Sequence, residues 1–324
     1  MAKAAVSSRI GATLAAPDAH GTASAAQVLS KGRILSFAAV AGALVVAPSP
    51  LVASPPMRIW GTTLDNDAGI SRSRLRLQVD ALGSLPIRPV TRIVMDIGTT
   101  PADFAAAVPA IHKVSGIMAE LGDSSEVKKV SLSSYTAFVR RLVAAYTRQV
   151  DIWEVGNEVN GEWVGTPAQE MARVQAAYDV VKAAGGKTAL TLYYNPRCYS
   201  RKANAMFTWL ANGHVPRALA AGLDYVTISY YPGDCNDYWP SPAEWQNVFD
   251  RLHARFPRAK LAFGESGFSD PIRSVADGVA LLNRYAAVKI AGDNYVGGYF
   301  WWYWAEDAVP KSSPFWKAYA ALQR

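Results

Sequence analysis

Eight short apolar segments, separated by stretches with helical patterning, follow one another from Met57 to the end of the sequence. Each is rich in β-branched or aromatic residues, as buried strands are. Apolar strands that alternate with helices form parallel β-α-β units, and eight of them in one chain predict an α/β protein with a single closed (β/α)8 barrel. The predicted strands read MRIWGT, TRIVMDI, SGIMAEL, DIWEVGN, ALTLYYN, YVTISYY, LAFGES and GGYFWWYW.

Capping residues mark where several of the predicted helices begin. In three of them a Thr or Ser is followed by Pro, which favours the first helical turn: Thr100-Pro101, Thr166-Pro167 and Ser241-Pro242. In the last two, Gln169 and Glu244 stand where a side chain can bond back to the backbone of the cap. A further helix is predicted over residues 132–146, with one apolar face made of Leu132, Tyr135, Val139, Leu142 and Tyr146.

Residues 1–54 are predicted to be a leader, and residues 55–324 the barrel domain. Lys31 and Arg33 precede an apolar run over residues 34–47 and a Pro-rich stretch that ends in small residues near Ala53, which is the layout of a signal peptide. The alternative is an uncleaved anchor, but the run is shorter than the ~20 residues that cross a bilayer. We therefore expect export. The polar, Ala-rich stretch before Lys31 is longer than usual and indicates a start site further downstream.

The charge of the chain is modest once the leader is set apart. The formal net charge is +7, and Lys3, Arg9, Lys31 and Arg33 against Asp18 place +3 of it in the leader, which leaves +4 for the rest. No basic run follows, so a nucleic-acid partner is not expected. We expect a monomer without stable membrane insertion after cleavage.

The only two cysteines, Cys198 and Cys235, follow the fifth and sixth predicted strands. In an oxidising compartment they can form a disulfide at the rim of the barrel, whereas two buried free thiols are the alternative. Zinc needs more ligands than two, so no metal site is expected.

Two glutamates stand at the ends of predicted strands, where the functional side chains of such barrels lie. Glu158 follows the fourth strand and Glu265 ends the seventh. These strands are three steps apart in a ring of eight, so their ends face each other across the mouth. Two carboxyl groups on either side of a bond are the equipment for glycoside hydrolysis: one protonates the leaving oxygen, and the other attacks the anomeric carbon or activates water.

In these motifs and in the order of its strands, the sequence resembles clan A of the glycoside hydrolases, which are retaining enzymes on TIM barrels. The resemblance spans the whole barrel, and WEVGNE is its most specific match. It implies that Glu158 is the acid/base, that Glu265 is the nucleophile, and that Asn157 binds the sugar beside the cleaved bond. It assigns no family within the clan, because no His follows strand three or lies near the tyrosines of strand six.

The same resemblance implies aromatic contacts. A Tyr of strand six commonly bonds the nucleophile, and Tyr230 and Tyr231 both fit. A Trp of strand eight commonly lies under the sugar. Of Trp301, Trp302 and Trp304, strand alternation favours Trp302 and Trp304 on one shared face.

Other polar and aromatic residues near strand ends have more than one interpretation. Arg92 matches an Arg of strand two that often supports the nucleophile, although it lies early in its strand. Trp163 is either a further sugar platform or a loop-packing residue. Glu154 is expected to point into or around the barrel as a structural group. The remaining carboxylates near strand ends are expected in solvated loops or salt bridges: Asp96, Glu120 and Glu162.

The sequence therefore predicts a retaining glycosidase that cleaves β-linked oligo- or polysaccharides. No GxSxG, HExxH or phosphate-binding Gly loop is present, and no cofactor is implied. Two alternatives remain: a catalytically silent carbohydrate-binding barrel, and a transglycosylase that uses the same two carboxylates.

Overall fold

The computed structural model describes residues 58–65 and 67–324, and within them eight parallel strands close into a barrel. Each strand pairs with the next along the chain, and the last pairs with the first. The (β/α)8 prediction is confirmed. The strands are β1 (Ile59–Leu64), β2 (Val90–Met95), β3 (Gly116–Leu121), β4 (Ile152–Gly156), β5 (Thr188–Tyr193), β6 (Tyr225–Tyr230), β7 (Lys260–Ser266) and β8 (Gly297–Trp301).

Helices connect the strands and surround the barrel. They are α1 (Arg72–Gly83), α2 (Ala107–His112), α3 (Leu132–Tyr146), α4 (Pro167–Ala183), α5 (Met206–Ala211), α6 (Arg217–Gly222), α7 (Pro242–Arg255), α8 (Val275–Ala286), α9 (Trp304–Asp307) and α10 (Pro314–Ala321). Short 3-10 turns cover Pro101–Phe104, Val127–Lys129, Lys202–Asn204 and Pro232–Cys235.

The predicted helix starts are found in the structure, with two differences. Thr166 and Ser241 cap α4 and α7, and both capping boxes are present. Thr100 instead begins a 3-10 turn, and Asp103 completes a box there that the sequence reading missed. In α3, Leu132 is 45% exposed. It lies in the first turn of the helix, so the buried face begins one turn later, at Tyr135.

Two parts of the core are separated by the sheet, and a third buried cluster lies at the mouth of the barrel. The larger part lies between the strands and the helices and includes Val155 and Phe263. The smaller part fills one end of the barrel interior with Met118, Ile152, Ala189 and Phe300. This inner group closes the end opposite the carboxyl ends of the strands, so the barrel is a packed support and not a channel.

The two cysteines form a disulfide, which settles the choice between a bridge and free thiols. Cys198 lies in the loop after β5 and Cys235 in the 3-10 turn after β6, with their Cα atoms 4.8 Å apart. The bridge therefore ties two neighbouring loops at the carboxyl ends of the strands.

The predicted leader and signal peptide, residues 1–54, lie outside the described residues. Of the helices that the structure describes, none has both the length and the apolar character needed to span a bilayer.

Candidate active site

Glu265 reaches the barrel interior because β7 contains a bulge. Phe263 pairs with Ile228 of β6, and Glu265 pairs with the next residue, Ser229, so Gly264 is left between them. Phe263 faces the helices, and strict alternation would put Glu265 on that outer face too. The extra residue turns Glu265 inward. Gly264 suits this position, since an added Cβ would lie 2.4 Å from a threonine side chain of β6.

Alternation also fails at the end of β4. The register against β5 shifts between Glu154 and Gly156, and Asn157 comes to lie beside Glu154 although the two are three residues apart, with 3.3 Å between Asn157 Nδ2 and Glu154 Oε1. Glu154 is buried inside the barrel, as expected. The strand ends at Gly156, so strand alternation does not extend to Glu158. Glu158 instead lies in a turn with φ at 47°, a left-handed conformation that costs a non-glycine residue about 1–3 kcal/mol.

Arg92, Asn157 and Tyr231 hold the Glu265 carboxylate by hydrogen bonds. Arg92 Nη2 and Asn157 Nδ2 donate to its Oε1 at 2.9 and 2.7 Å, and the Tyr231 hydroxyl donates to its Oε2 at 2.5 Å. Burial, followed by the negative charges of Glu265 and Glu158, raises the pKa of Tyr231 well above its ordinary value, so this phenol stays a donor. Hydrogen bonds of this kind favour the ionised form of a carboxyl group.

A short chain of hydrogen bonds joins Glu158 to Glu265. The Ser124 hydroxyl donates to Glu158 Oε2 at 3.3 Å, and the Ser124 backbone N–H donates to Asn157 Oδ1 at 3.2 Å. Asn157 then donates to Glu265, as above. Trp163 Nε1 donates to the Ser124 hydroxyl at 2.9 Å. The two glutamates that the sequence places on opposed strands therefore share one site, and both are buried.

Aromatic side chains enclose this site. Tyr193, Tyr231 and Trp302 form one buried cluster with Val94, and Trp163 and Tyr303 pack against it. The Trp163 and Tyr193 rings meet edge to face with their centroids 5.3 Å apart. The guanidinium carbon of Arg92 lies 5.2 Å from the centre of the Trp302 ring. Trp163 thus belongs to the wall of the site.

The structure decides between the alternative aromatic candidates. Tyr231 is the tyrosine that bonds Glu265, whereas the hydroxyl of Tyr230 donates to the backbone oxygen of Tyr238 in the outer core. The expectation that Trp304 shares a face with Trp302 is wrong. β8 ends at Trp301, so alternation does not continue, and Trp304 begins α9 fully buried in the outer core.

One arginine and three glutamates form a charged layer just below the mouth: Arg92, Glu120, Glu154 and Glu265. Arg92 Nε lies 2.6 Å from Glu154, and its Nη2 lies 2.9 Å from both Glu120 and Glu265. Burial lowers the pKa of Arg92, but the three carboxylates outweigh it and raise this pKa above its ordinary value. Although Arg92 lies early in β2, its long side chain reaches Glu265 from below.

The other three carboxylates near strand ends have different surroundings. Glu120 is an ion-pair partner of Arg92 and is fully buried, and burial raises its pKa well above the ordinary value. Glu162 accepts two backbone N–H groups, from Ser200 and Arg201, both at 2.7 Å. Burial, followed by the charge of Glu126 and further acidic residues, raises the pKa of Asp96 to about 7.

The sequence reading missed Ser124 and Tyr193. Tyr193 ends β5 two residues after Thr191, whose side chain lies inside the barrel, so alternation could have found it. Ser124 lies in the loop after β3, where no periodic signal identifies a contact to Glu158. Over the described ranges, 58–65 and 67–324, no three His, Cys, Asp or Glu side chains converge as a metal site would require.

The fold makes this chain a TIM-barrel protein, and comparisons with known proteins agree. The sequence matches no protein-family model and no curated protein sequence. Among solved structures, a GH5_18 protein from Bifidobacterium longum subsp. longum is similar with a TM-score of 0.57 and 10% identity, over 82% of this chain and 78% of its own.

Two other solved structures are similar. A GH5_18 variant from Streptomyces cattleya, in complex with Manb1-4GlcNAc, has a TM-score of 0.54 and 15% identity, over 77% of this chain and 71% of its own. A beta-glucosidase from Exiguobacterium marinum has a TM-score of 0.50 and 11% identity, over 76% and 89%. At these identities the likeness establishes the shared fold.

Proposed function

We propose that this protein is a retaining glycosidase that acts on β-linked oligo- or polysaccharides, with Glu265 as nucleophile and Glu158 as acid/base. The observation that carries the proposal is the hydrogen-bond chain from Glu158 through Ser124 and Asn157 to Glu265. This chain links the two carboxyl groups through Ser124 and Asn157 at the mouth of the barrel. The resemblance of WEVGNE to clan A enzymes supports the retaining mechanism, and the solved structures of similar fold include a beta-glucosidase.

In the first step, a carboxylate oxygen of Glu265 attacks the anomeric carbon and the bond to the leaving oxygen breaks. Glu158 gives its proton to that oxygen, so the leaving sugar departs as an alcohol. The donors on Glu265 suit this role, because Arg92, Asn157 and Tyr231 keep the carboxylate ionised and fix its direction. The product is a glycosyl ester of Glu265.

In the second step, Glu158 acts as a base. It takes a proton from water, whose oxygen attacks the anomeric carbon and displaces Glu265 as a carboxylate. The two inversions leave the configuration of the sugar unchanged. If an acceptor sugar replaces water, the same step becomes transglycosylation.

The aromatic wall supplies the sugar contacts in this proposal. Trp302 and Trp163 offer flat rings on which the C–H face of a sugar can stack, and Asn157 offers an amide beside the nucleophile. Both carboxyl groups are buried. A sugar therefore reaches them only when side chains of this wall move aside. We further propose that the protein is exported and acts as a monomer on carbohydrate.

The test is a panel of β- and α-linked aryl glycosides and polysaccharides, assayed with the wild type and with Glu265→Gln. Removing the nucleophile should lower kcat by at least about 10⁴-fold, because the covalent route is lost. Proton NMR of the first product formed should show retention. Unchanged hydrolysis by Glu265→Gln, or an inverted product, contradicts the proposal.

Small anions separate the two roles. With Glu265→Ala, azide should restore turnover by attack at the anomeric carbon and give a glycosyl azide of inverted configuration. With Glu158→Ala, azide should give a glycosyl azide of retained configuration, because the ester on Glu265 still forms. Binding of glycans without turnover by the wild type would instead support the silent barrel, and transfer to added acceptors the transglycosylase.

A further inference from the structure

Glu154 contacts the groups that hold Glu265, although it does not itself contact Glu265 through a hydrogen bond. Its two carboxylate oxygens accept from Arg92, from Nε at 2.6 Å and from Nη2 at 3.0 Å. Its Oε1 also accepts from Asn157 Nδ2 at 3.3 Å. Arg92 and Asn157 both donate to Glu265. One buried side chain thus orients two groups that donate to the proposed nucleophile.

Glu154 is itself anchored from β5. The Thr191 hydroxyl donates to Glu154 Oε1 at 2.5 Å, and a further hydroxyl on β6, that of Thr227, lies 2.7 Å from that of Thr191. The bidentate pair with Arg92 fixes the plane of the guanidinium, which a single contact would leave free to rotate. Because Glu154 accepts from both Nε and Nη2, the guanidinium is held with Nη2 facing Glu265.

The charged groups around Glu154 come from three other strands. Arg92 of β2 is the cation, and Glu120 of β3 and Glu265 of β7 are the other carboxyl groups near it. A buried ion pair of this kind contributes little net stability, because desolvation offsets the Coulomb attraction. Its value lies in the fixed geometry of the donors.

We propose that Glu154 is a positioning residue for the nucleophile, acting on Glu265 through Arg92 and Asn157. The inference rests on the proposed glycosidase function. It goes beyond that function because it gives Glu154, inside the barrel, control over the reactivity of Glu265 at the mouth. Glu154 is buried inside the barrel and is not part of the aromatic wall that would contact the sugar, so we expect its effect on kcat to exceed its effect on KM.

The experiment compares the wild type with Glu154→Gln, which keeps the shape of the side chain and removes its charge. We expect kcat to fall by about ten- to hundredfold with little change in KM, since a small misplacement of a reacting group costs rates of this order. The acidic limb of the kcat/KM profile should move to lower pH, because removing a nearby negative charge favours the ionised form of the carboxyl groups that remain. Glu154→Asp, which keeps the charge, should leave that limb in place.

A matched control shows what a purely structural role would do. Glu170 of α4 is also a buried carboxylate paired with an arginine, Arg173, at 3.6 Å, and it lies away from the site. Glu170→Gln should change stability alone and leave kcat per folded molecule and the pH profile unchanged. Thr191→Val removes only the hydroxyl that anchors Glu154, so it should fold and show a smaller loss of kcat than Glu154→Gln.

The outcomes separate this inference from the proposed function. If the wild type cleaves no glycoside, the proposed function fails. If the wild type is active and Glu265→Gln is not, but Glu154→Gln and Thr191→Val keep full kcat per folded molecule and an unmoved acidic limb, the positioning role is wrong and the function stands. Folded protein is counted in each sample by the amplitude of its urea-unfolding transition, which does not depend on the reactivity of Glu265.

Discussion

The interior of the barrel has two layers that differ sharply although the same strands build them. β3 places Met118 in the lower layer and Glu120 in the layer above, and β4 places Ile152 below Glu154. A step of two residues along a strand therefore separates apolar packing from a buried ion-pair network. The lower layer stabilises the barrel by removing apolar surface from water. The upper layer costs desolvation free energy and fixes geometry instead.

The upper layer is the part of the barrel interior where burial of charge costs desolvation free energy. Three carboxylates share one guanidinium in the upper layer, and burial raises the pKa of Glu120 well above its ordinary value. Such a layer is a poor source of stability. Because the layer includes Glu265, its presence is explained if it serves the chemistry at the mouth.

The largest effect should come from Arg92→Met, which removes the cation that contacts all three carboxylates of the upper layer. We expect the free energy of unfolding at pH 8 to fall by about 4 kcal/mol, because buried charges are left unpaired. Urea unfolding measures it. The loss should shrink at pH 5, where carboxyl groups accept protons. Arg173→Met, in the looser pair on α4, should cost less and leave kcat unchanged.

Met118→Ala tests the lower layer. Removing most of a buried side chain should lower the free energy of unfolding by about 3 kcal/mol through lost burial and a cavity. The kcat of the folded fraction should stay within twofold, roughly, of the wild type, since the site is a layer away. A loss of kcat as large as that of Glu154→Gln would erase the distinction between the layers.

The smallest effect should come from Glu120→Gln. Because the native state raises the pKa of Glu120 above the ordinary 4.5, it binds a proton more tightly than the unfolded chain does, and the stability from this group is lost as pH rises above 4.5. The variant should therefore be more stable than the wild type by about 1 kcal/mol at pH 8. The difference should vanish near pH 4.5. Urea unfolding across this pH range measures the difference. A variant that is less stable than the wild type at pH 8 would mean that Glu120 is ionised and well paired.

The sequence predicted the fold well because its signals are local. Each strand is an apolar run, and helix starts such as Thr166 and Ser241 carry their own capping partners. The order of these elements leaves few ways to close the sheet. Glu158 and Glu265 could be found in the same way, since the ends of strands four and seven are defined by position along the chain.

Side-chain partners were harder to predict. Whether a strand residue points into or out of the barrel is inferred by alternation from another residue of known direction. A single bulge at Gly264 reverses that alternation for Glu265, and the register shift in β4 does the same for Asn157. Trp304 was misplaced because its strand ends three residues earlier.

The sequence alone determined the eight strand–helix units, their closure into a barrel and the two glutamates at opposed strand ends, because short-range periodicity and chain order encode them. Only the tertiary structure decided that Tyr231 and not Tyr230 bonds Glu265, that Arg92 reaches it from below, and that Glu154 lies behind both Arg92 and Asn157. Except for the contact between Asn157 and Glu154, these contacts join residues far apart in the chain. Their geometry is set by bulges and register, which pairing between strands creates and no single segment contains.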